Sequence, residues 1–427
     1  MNHIACEAAP DLEAWEQVLR KAVLAAGAQF LEDLLRSRCT GHQSEPTRCT
    51  CGQTMRSQGI RTKKLITVLG PLTLSRSLYR CPDCGNSRFP ADALLGVEHT
   101  SFSPGVRRWM ARAGSRTSFV EAEEDLNAYT GIKLHRRDIE RIAEQAGNRI
   151  ELWQTEQDQQ LLRDPPDERD SVDTIPILYV SFDGTAIPMR KEELAGRRGK
   201  GDDGKPKGRE VKLGCIFTQT EINDEGFPVR TENSTTYVGA IESSTFFGNR
   251  IYAEALRRGL NHAQKTVAIT DGAAYNRTII QEHFPGAIRI IDLYHAREHL
   301  HELHKLLCPD DATRLEQWMQ WLDAGRVRTL LDDAQTLLPR TGKRRKKALR
   351  QIGYFSKNEP AMQYAEFRAQ GLFIGSGVIE AGCRTVVAKR LKQSGMFWSL
   401  AGANAIIASR CCQFSNRFED FWESAAA

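Results

Sequence analysis

The sequence predicts an α/β protein whose sheet is formed by the second half of the chain. From residue 176 onward, apolar runs alternate with helical patterns, which is typical of α/β domains. Residues 177–182 (ILYVSF) form a continuous apolar run rich in β-formers, as expected for a central strand buried on both faces. Further strands are predicted at four places: residues 211–218, 235–241, 265–270 and 287–291.

Composition narrows the class of protein. The chain has 427 residues, enough for two or three domains, and is 41% hydrophobic and 26% charged, as in soluble globular proteins. No apolar run is long enough to span a membrane, and the N-terminus lacks the apolar core of a secretory signal. We therefore expect a cytoplasmic protein without a membrane partner. The net charge of +5 permits a polyanionic partner without requiring one.

Two cysteine pairs flank a predicted hairpin in the first hundred residues. Its arms are residues 65–69 and 72–79, joined at Gly70-Pro71, and the pairs are Cys49 with Cys51 and Cys81 with Cys84. In a reducing compartment, such pairs predict a zinc-ribbon-like module with a structural Zn²⁺. The first pair is Cys-x-Cys instead of Cys-x-x-Cys, and Cys39 is a competing ligand. Four ordinary reduced thiols remain the alternative.

A helical segment follows the cysteines. Residues 11–38 already read as one helix, and Thr117 or Ser118 is predicted to cap another that ends at Gly131. A second helix over about 135–146 completes a helix-turn-helix-like pattern. Three arginines near its start are the candidates for DNA contact: Arg136, Arg137 and Arg141. A plain helical bundle is the alternative.

Two basic segments are candidates for contact with phosphates. Residues 196–209 are basic and glycine-rich, and residues 340–350 (RTGKRRKKALR) contain no acid. The candidate side chains in the second segment are Lys343, Arg344, Arg345, Lys346 and Lys347. Basic runs are also common on solvated surfaces, so neither segment is specific alone.

Four acidic residues suggest a metal site. Asp183, Asp271 and Asp292 each directly follow a predicted strand, and Glu380 lies in the first turn of a predicted helix. Two Mg²⁺ (or Mn²⁺) ions about 4 Å apart, bridged by carboxylates, are what phosphoryl transfer on DNA requires. Aspartates also cap turns, and a glutamate in a first helical turn also complements the helix dipole.

Long, ordered motifs give the sequence a family resemblance. It resembles bacterial insertion-sequence transposases of the ISKra type, relatives of the Mutator-like transposases, over about residues 177–400 and in parts of the N-terminal region. The matching stretches include SFDGTAIPMRKEE, EVKLGCIFT, TDGAAYNRTIIQEHFP, IIDLYHAREHL, SGVIEAGCRTVVAKRLKQSGMFW and VLGPLTLSRSLYRCPDCGNSRFPAD.

The resemblance implies a ribonuclease-H-like catalytic core with a helical insertion at about 298–370. It also implies a metal-binding acid triad of Asp183, Asp271 and Glu380, accompanied by Asp292 and His295. The implied activity is DNA transposition: binding of the element's terminal inverted repeats, strand cleavage, and strand transfer to target DNA. We expect a homodimer or larger assembly on double-stranded DNA, near the bacterial nucleoid.

These expectations divide the chain into four regions. Residues 1–103 hold the first helix and the zinc-ribbon-like module, and residues 104–162 hold the helix-turn-helix-like module. Residues 163–175 are a linker, and residues 176–427 are the transposase domain.

The sequence also leaves other functions open. His295, Glu298 and His299 fit the inverted zinc-peptidase pattern His-x-x-Glu-His, although that pattern leaves the acids unexplained. A DNA-binding regulator without catalysis, an inactive copy, and a nuclease or resolvase on the same fold are further alternatives.

Overall fold

The computed structural model describes residues 11–42, 46–166, 174–197 and 207–424. Most of the predicted linker and of the basic segment 196–209 lies outside these ranges. The chain divides into two compact units, residues 1–143 and 144–427. In the described part of the chain, no helix is both long and apolar enough to cross a membrane.

The first unit combines a small antiparallel sheet, of order β1-β2-β3, with helices. Its elements are α1 (Leu12–Arg38), β1 (Arg56–Thr67), β2 (Gly70–Arg80), β3 (Ser87–Arg88), α2 (Pro90–Leu94), α3 (Pro104–Arg116), α4 (Phe119–Thr130) and the start of α5 (Arg136–Arg163).

The β1–β2 hairpin turns earlier than the sequence suggests. Thr67 pairs with Gly70, so the turn is Val68-Leu69, and Gly70 already belongs to β2. The Thr67 hydroxyl accepts a hydrogen bond from the Leu69 amide (3.2 Å) and donates one to the Gly70 carbonyl (2.8 Å), which closes this two-residue turn. Gly70 has a φ of +124°, which favours glycine where the chain re-enters the sheet.

The α4–α5 corner is fixed by local side chains. Ser118 and Glu121 form a capping box at the start of α4, and Gly131 ends α4 in the left-handed conformation. Asn127 holds the turn, because its side chain bonds both the amide of Leu134 (2.8 Å) and the carbonyl of Leu134 (3.2 Å). These contacts fix the turn between α4 and the first residues of α5.

Helix α5 is longer than expected. It continues to Arg163, whereas the sequence pattern suggested an end near residue 146. Gly147 does not interrupt it, because a glycine is needed there for close packing: an added Cβ would lie 2.0 Å from the Ala405 carbonyl oxygen. Tertiary contact therefore explains why a glycine stands inside this helix.

The second unit is an α/β structure. Its strands are β4 (Ile175–Pro188), β5 (Gly208–Ile222), β6 (Pro228–Arg230), β7 (Thr236–Ala240), β8 (Ala263–Thr270) and β9 (Ile288–Ile291). Its helices, after α5, are α6 (Ser244–Arg257), α7 (Ala274–His283), α8 (Leu293–Leu307), α9 (Ala312–Asp323), α10 (Val327–Thr336), α11 (Lys343–Asn358), α12 (Tyr364–Ala369), α13 (Gly377–Gly382), α14 (Lys389–Leu391), α15 (Leu400–Phe414) and α16 (Phe418–Ser424). The segment between β9 and α13 is thus helical.

The central sheet is mixed, with the strand order β6-β5-β4-β8-β9 and β7 also paired to β5. Strand β4 is antiparallel to β5 and parallel to β8, and β9 is parallel to β8. One face packs on α6 and α7 through Phe182, Phe247 and Ile279. On the other face, Gly382 of α13 packs closely on Leu213 and Tyr237. The sheet is therefore covered by helices on both sides.

Strand β4 does not end before Asp183, as the sequence suggested. Its pairing with β8 stops at Ser181 and Ile269, but its pairing with β5 continues to Pro188 and Gly208. Asp183 therefore lies inside a strand, at the level where the parallel part of the sheet ends. The apolar run stops there because β4 loses its neighbour β8 at this level and keeps only β5, and not because the strand ends.

Candidate functional site

Three aspartates lie side by side at one edge of the central sheet. The register pairs Ser181 with Ile269, and Thr270 with Ile291, so Asp183 within β4 is at the same level as Asp271 and Asp292, which directly follow β8 and β9. Side chains in lateral register project from the same face of a sheet, and neighbouring strands are about 4.8 Å apart. The fold therefore concentrates negative charge at this edge.

Asp271 is held by the start of α7. Its Oδ1 accepts hydrogen bonds from the Ala273 amide (2.8 Å) and from Nδ2 of Asn276 (2.6 Å). Asn276 is fully buried, and the Tyr354 hydroxyl donates to the Asp271 carbonyl (3.1 Å). Sequence reasoning missed Asn276, although it stands five residues after Asp271 within one of the quoted motifs. Because the side chain of Asn276 and the Ala273 amide both bond Oδ1 of Asp271, its Oδ2 is available for a cation.

Asp183 is held in an environment that disfavours its charge. Burial raises the pKa of its carboxyl group, and the nearby Asp271 raises it further, although the Gly184 amide and His295 act in the opposite direction. A cation placed between the two carboxylates would remove this penalty. The site thus has the donor chemistry that Mg²⁺ or Mn²⁺ prefers.

This electrostatic cost predicts a stabilising substitution. In magnesium-free buffer, Asp183→Asn should raise the free energy of unfolding at pH 7 by about 1 kcal/mol, because it removes a repelled, half-buried charge. A raised carboxyl pKa in the folded state means that the wild type gains stability as pH falls through that pKa, whereas the variant should not. Urea unfolding at several pH values measures both effects, and a destabilised variant would contradict the assignment.

Glu380 approaches the same face of the sheet from α13. Its Oε1 accepts a hydrogen bond from the Ser376 hydroxyl (2.7 Å), and its side chain is exposed. One turn later, Cys383 Sγ lies 3.8 Å from Oδ2 of Asp183, which ties this helix to β4. Ser376 is a second residue that sequence reasoning missed, although its place in Gly-Ser-Gly before the helix was a visible signal.

Asp292 has a structural task in this arrangement. Its Oδ1 caps α8 through the His295 amide (2.6 Å), and its Oδ2 accepts from the Ser376 amide (2.5 Å). The side chain is only 2% exposed. It therefore joins the start of α8 to the segment that carries Glu380, and acts as a positioning residue here.

His295 and His299 lie on one face of α8, with ring centroids 5.5 Å apart. His299 is engaged by Gln351 through its Nδ1 (2.7 Å) and stacks on Tyr354. His295 remains partly exposed, with its Nδ1 3.6 Å from Glu298, and it is close enough to Asp183 to affect the pKa of that carboxyl. Of the two, His299 is the one held by a hydrogen bond and a stacked ring.

The four cysteines predicted to bind zinc come together in the first unit. Cys49 and Cys84 are 3.5 Å apart between sulfur atoms, as are Cys51 and Cys81, and all four sulfurs lie within 4.8 Å of one another. Tetrahedral Zn²⁺ with bonds of about 2.3 Å needs sulfur separations of this size. The cluster could hold a structural zinc, and Cys39 is not part of it.

Backbone amides lower the pKa of two of these thiols and so favour the thiolate form that binds metal. The Cys51 amide is the largest cause that lowers the pKa of Cys49 to about 6, and the Cys84 amide is the largest that lowers the pKa of Cys81. The Asn86 amide favours the Cys84 thiolate too, but Cys49 and Cys81 outweigh it and raise its pKa to about 12. A divalent cation would offset this mutual repulsion.

Among the described residues, only these four cysteines bring three or more potential metal-ligand atoms within 4.8 Å of one another. The carboxylates of Asp183, Asp271 and Glu380 are more widely spread. A pair of cations about 4 Å apart spans a wider set of ligands than a single ion does. The His295 and His299 pair likewise has no third ligand at that spacing in the described part, so the zinc-peptidase pattern gains no support.

The basic candidates are at the surface. Arg136 and Arg137 are exposed at the start of α5, and Arg141 is exposed with an ion pair to Asp138 (2.9 Å). Four of the five cations from Lys343 to Lys347 are exposed in the first turns of α11, and Arg345 is half-buried. Cations at a helix N-terminus oppose the helix dipole, so α11 tolerates a charge arrangement that does not favour its own stability.

Comparison with known proteins gives little. No protein-family model matches the chain, and no curated protein matches it at a significant level. Among solved structures, the chain is similar to a Drosophila P element transposase strand transfer complex, at 10% identity over 78% of this chain and 83% of that chain, with a TM-score of 0.25. At that TM-score, the likeness carries no conclusion about this protein.

Proposed function

We propose that this protein is a DNA transposase of an insertion sequence, acting by metal-dependent phosphoryl transfer at the edge of its central sheet. The observation that carries the proposal is the lateral register of Asp183, Asp271 and Asp292, with the Glu380 helix on the same face. The central antiparallel β4–β5 pair, extended by parallel β8 and β9, supports the ribonuclease-H-like core that the sequence resemblance implies.

Asp183, Asp271 and Glu380 would hold two Mg²⁺ or Mn²⁺ ions. When bound, these ions would activate a water or 3′-hydroxyl and stabilise the leaving oxygen of a DNA phosphodiester. The chain's own residues orient the ligands: Asn276 fixes Asp271 (2.6 Å), and Ser376 fixes Glu380 (2.7 Å). Because Asp292 bonds the amide of Ser376, it couples the β9 edge to the position of Glu380.

His295 is proposed to act on the scissile phosphate or to protonate the leaving group. His295→Ala should therefore lower the rate of strand cleavage about 10²-fold while leaving the Kd for DNA within about twofold. Single-turnover cleavage and fluorescence anisotropy measure the two quantities. The matched control is His301→Ala, also on α8 but away from the acids. Equal losses of cleavage and binding would instead indicate a folding role for His295.

DNA contact is proposed for the two basic helix starts, on α5 and α11. The arginines stand at the start of α5, directly after a turn held by Asn127, and this is where a helix-turn-helix carries its DNA-contacting side chains. Lys343, Lys346 and Lys347 are exposed at the start of α11, form no ion pair with a described acid, and are free to neutralise phosphates. The partner proposed is double-stranded DNA, both element ends and target, bound by a homodimer or larger assembly in the bacterial cytoplasm.

The test is cleavage and strand transfer by the full chain on a duplex that carries the element's own terminal repeats, with Mg²⁺. Cuts at the repeat ends, followed by joining to a second duplex, are expected. Cleavage at branched or arbitrary sites without joining would indicate a nuclease or resolvase instead. Tight binding without any cutting would indicate a regulator or an inactive copy.

A further inference from the structure

The exposed side of one helix carries an acid followed by three cations. The helix runs without a break from Gly377 to Leu391 and comprises α13, a π-helical segment (Cys383–Ala388) and α14. Glu380, Arg384, Lys389 and Lys392 are all exposed, the last just after the helix. None of the three cations forms an ion pair with any residue that the structure describes. They are therefore available to a ligand from outside.

The π-helical segment decides which residues share this side. The Lys389 amide bonds the carbonyl of Arg384, five residues back instead of four. In a regular α-helix, the residue one turn after Arg384 would be Ala388, because each residue turns the helix by about 100°. The extra residue places Lys389 in the row of Glu380 and Arg384.

A buried arginine holds the π-helical segment in place. Arg410 of α15 donates hydrogen bonds to two backbone carbonyls of this segment. Its Nε bonds the Val386 carbonyl (2.5 Å), and its guanidinium also bonds the Thr385 carbonyl (2.6 Å). Arg410 is only 2% exposed. Burying a charged guanidinium is costly unless its N–H groups are hydrogen-bonded, and these two carbonyls of the π-helical segment supply such bonds.

The row begins beside the acidic edge. Lys392 donates to the Thr185 hydroxyl (2.5 Å), and Thr185 lies two positions after Asp183 on β4, so both point to the same face. Arg384 and Lys392, the first and last cations of the row, are eight residues apart, and the helical rise makes this about 12 Å. This is about the length of three to four nucleotides of a B-form strand at about 3.4 Å each.

We propose that Arg384, Lys389 and Lys392 form a phosphate-binding row for the DNA strand that enters or leaves the carboxylate site, and that Arg410 positions this row through the π-helical segment. The proposal rests on the proposed function, since it names the part of the protein that would hold the substrate next to the reacting phosphate. A row of cations over this length fits a nucleic-acid backbone, whereas a single free phosphate would need one cluster.

The experiment measures the affinity of the full chain for a 25-base-pair duplex across a salt series, in Ca²⁺ so that no cutting occurs. Arg384→Ala, Lys389→Ala and Lys392→Ala should each lower the slope of log affinity against log salt by about 0.9, since each removes one phosphate contact. Lys265→Ala, an exposed lysine at the opposite end of β8, is the charge-matched control and should leave the slope unchanged. Unchanged slopes in all three variants would overturn the proposal.

A second pair of variants tests the role of the π-helical segment. The double variant Ala388→Lys, Lys389→Ala keeps the net charge but moves it by one residue, to the position that a regular helix would use. It should bind DNA as weakly as Lys389→Ala alone, and full recovery of the slope would overturn the proposed placement. The salt slope can be measured without catalysis. A wild type that binds DNA through this row but never cuts it would contradict the proposed function and leave this inference standing.

Discussion

Replacing Asp183, Asp271 or Glu380 by alanine should abolish Mg²⁺-dependent cutting at the element ends, with a rate loss of at least about 10³-fold for each variant. Each substitution removes a carboxylate proposed to hold a cation, and a missing ligand removes the charge stabilisation of the transition state. DNA binding should change by less than about threefold, because the side chains proposed to contact phosphates are cations and none of the three acids is among them. Single-turnover cleavage with gel analysis and anisotropy measure the two effects.

The control is Asp224→Ala, which removes an exposed acid from the turn between β5 and β6 and should cut like the wild type. Asp183→Asn adds a folded control, since it is expected to be at least as stable as the wild type. Residual cutting by two or more triad variants would contradict the assignment of the ligands. Cutting that survives chelation of Mg²⁺ would contradict the metal-dependent mechanism itself.

Removing the cysteine cluster should unfold the first unit while leaving the second unit folded. Cys49→Ser or Cys81→Ser should reduce bound zinc from about one ion per chain to near zero. Structural zinc sites of this kind contribute about 10 kcal/mol or more to the folding of small modules. Zinc analysis by mass spectrometry and limited proteolysis, read out as cleavage within residues 46–103, check both expectations.

Cys39→Ser and Cys308→Ser are the matched controls, because neither cysteine belongs to the cluster. Both variants should keep the zinc and the protease resistance of the wild type. A wild type purified without chelator that contains no zinc would contradict the zinc assignment, and four reduced thiols would then explain the cluster. Zinc loss with an intact first unit would show that the metal is dispensable for folding.

Features that depend on neighbouring residues could be predicted from the sequence. Ser118 with Glu121 and the following Gly131 define a helix start and a helix end through contacts within one or two turns. Four of the five predicted strands from 177 onward hold to within four residues at each end, because a buried strand needs a continuous apolar run, and β4 continues six residues beyond its predicted end. The cysteine spacing also anticipated the cluster of four sulfurs.

Features that depend on distant partners could not be predicted in this way. The predicted end of α5 was wrong, because the helix continues through Gly147, which packs closely on Ala405, far away in the chain. The turn at Val68-Leu69 was misplaced because pairing register, and not the Gly-Pro signal, sets where the hairpin closes. The position of Asp183 inside β4 depends on β5 continuing after β8 has stopped.

The sequence by itself therefore determined the α/β class and the cysteine cluster, since both rest on residue type and spacing, whereas the metal-binding role of the acids stays a prediction. Only the tertiary structure decided that Asn276 and Ser376 hold two of those acids, and that Asp292 serves as a capping residue. It also decided that Arg410 supports a π-helical segment that turns Lys389 toward the side of Glu380. The physical reason is that hydrogen bonds between residues far apart in the chain depend on how the strands and helices pack, and local patterns do not encode that packing.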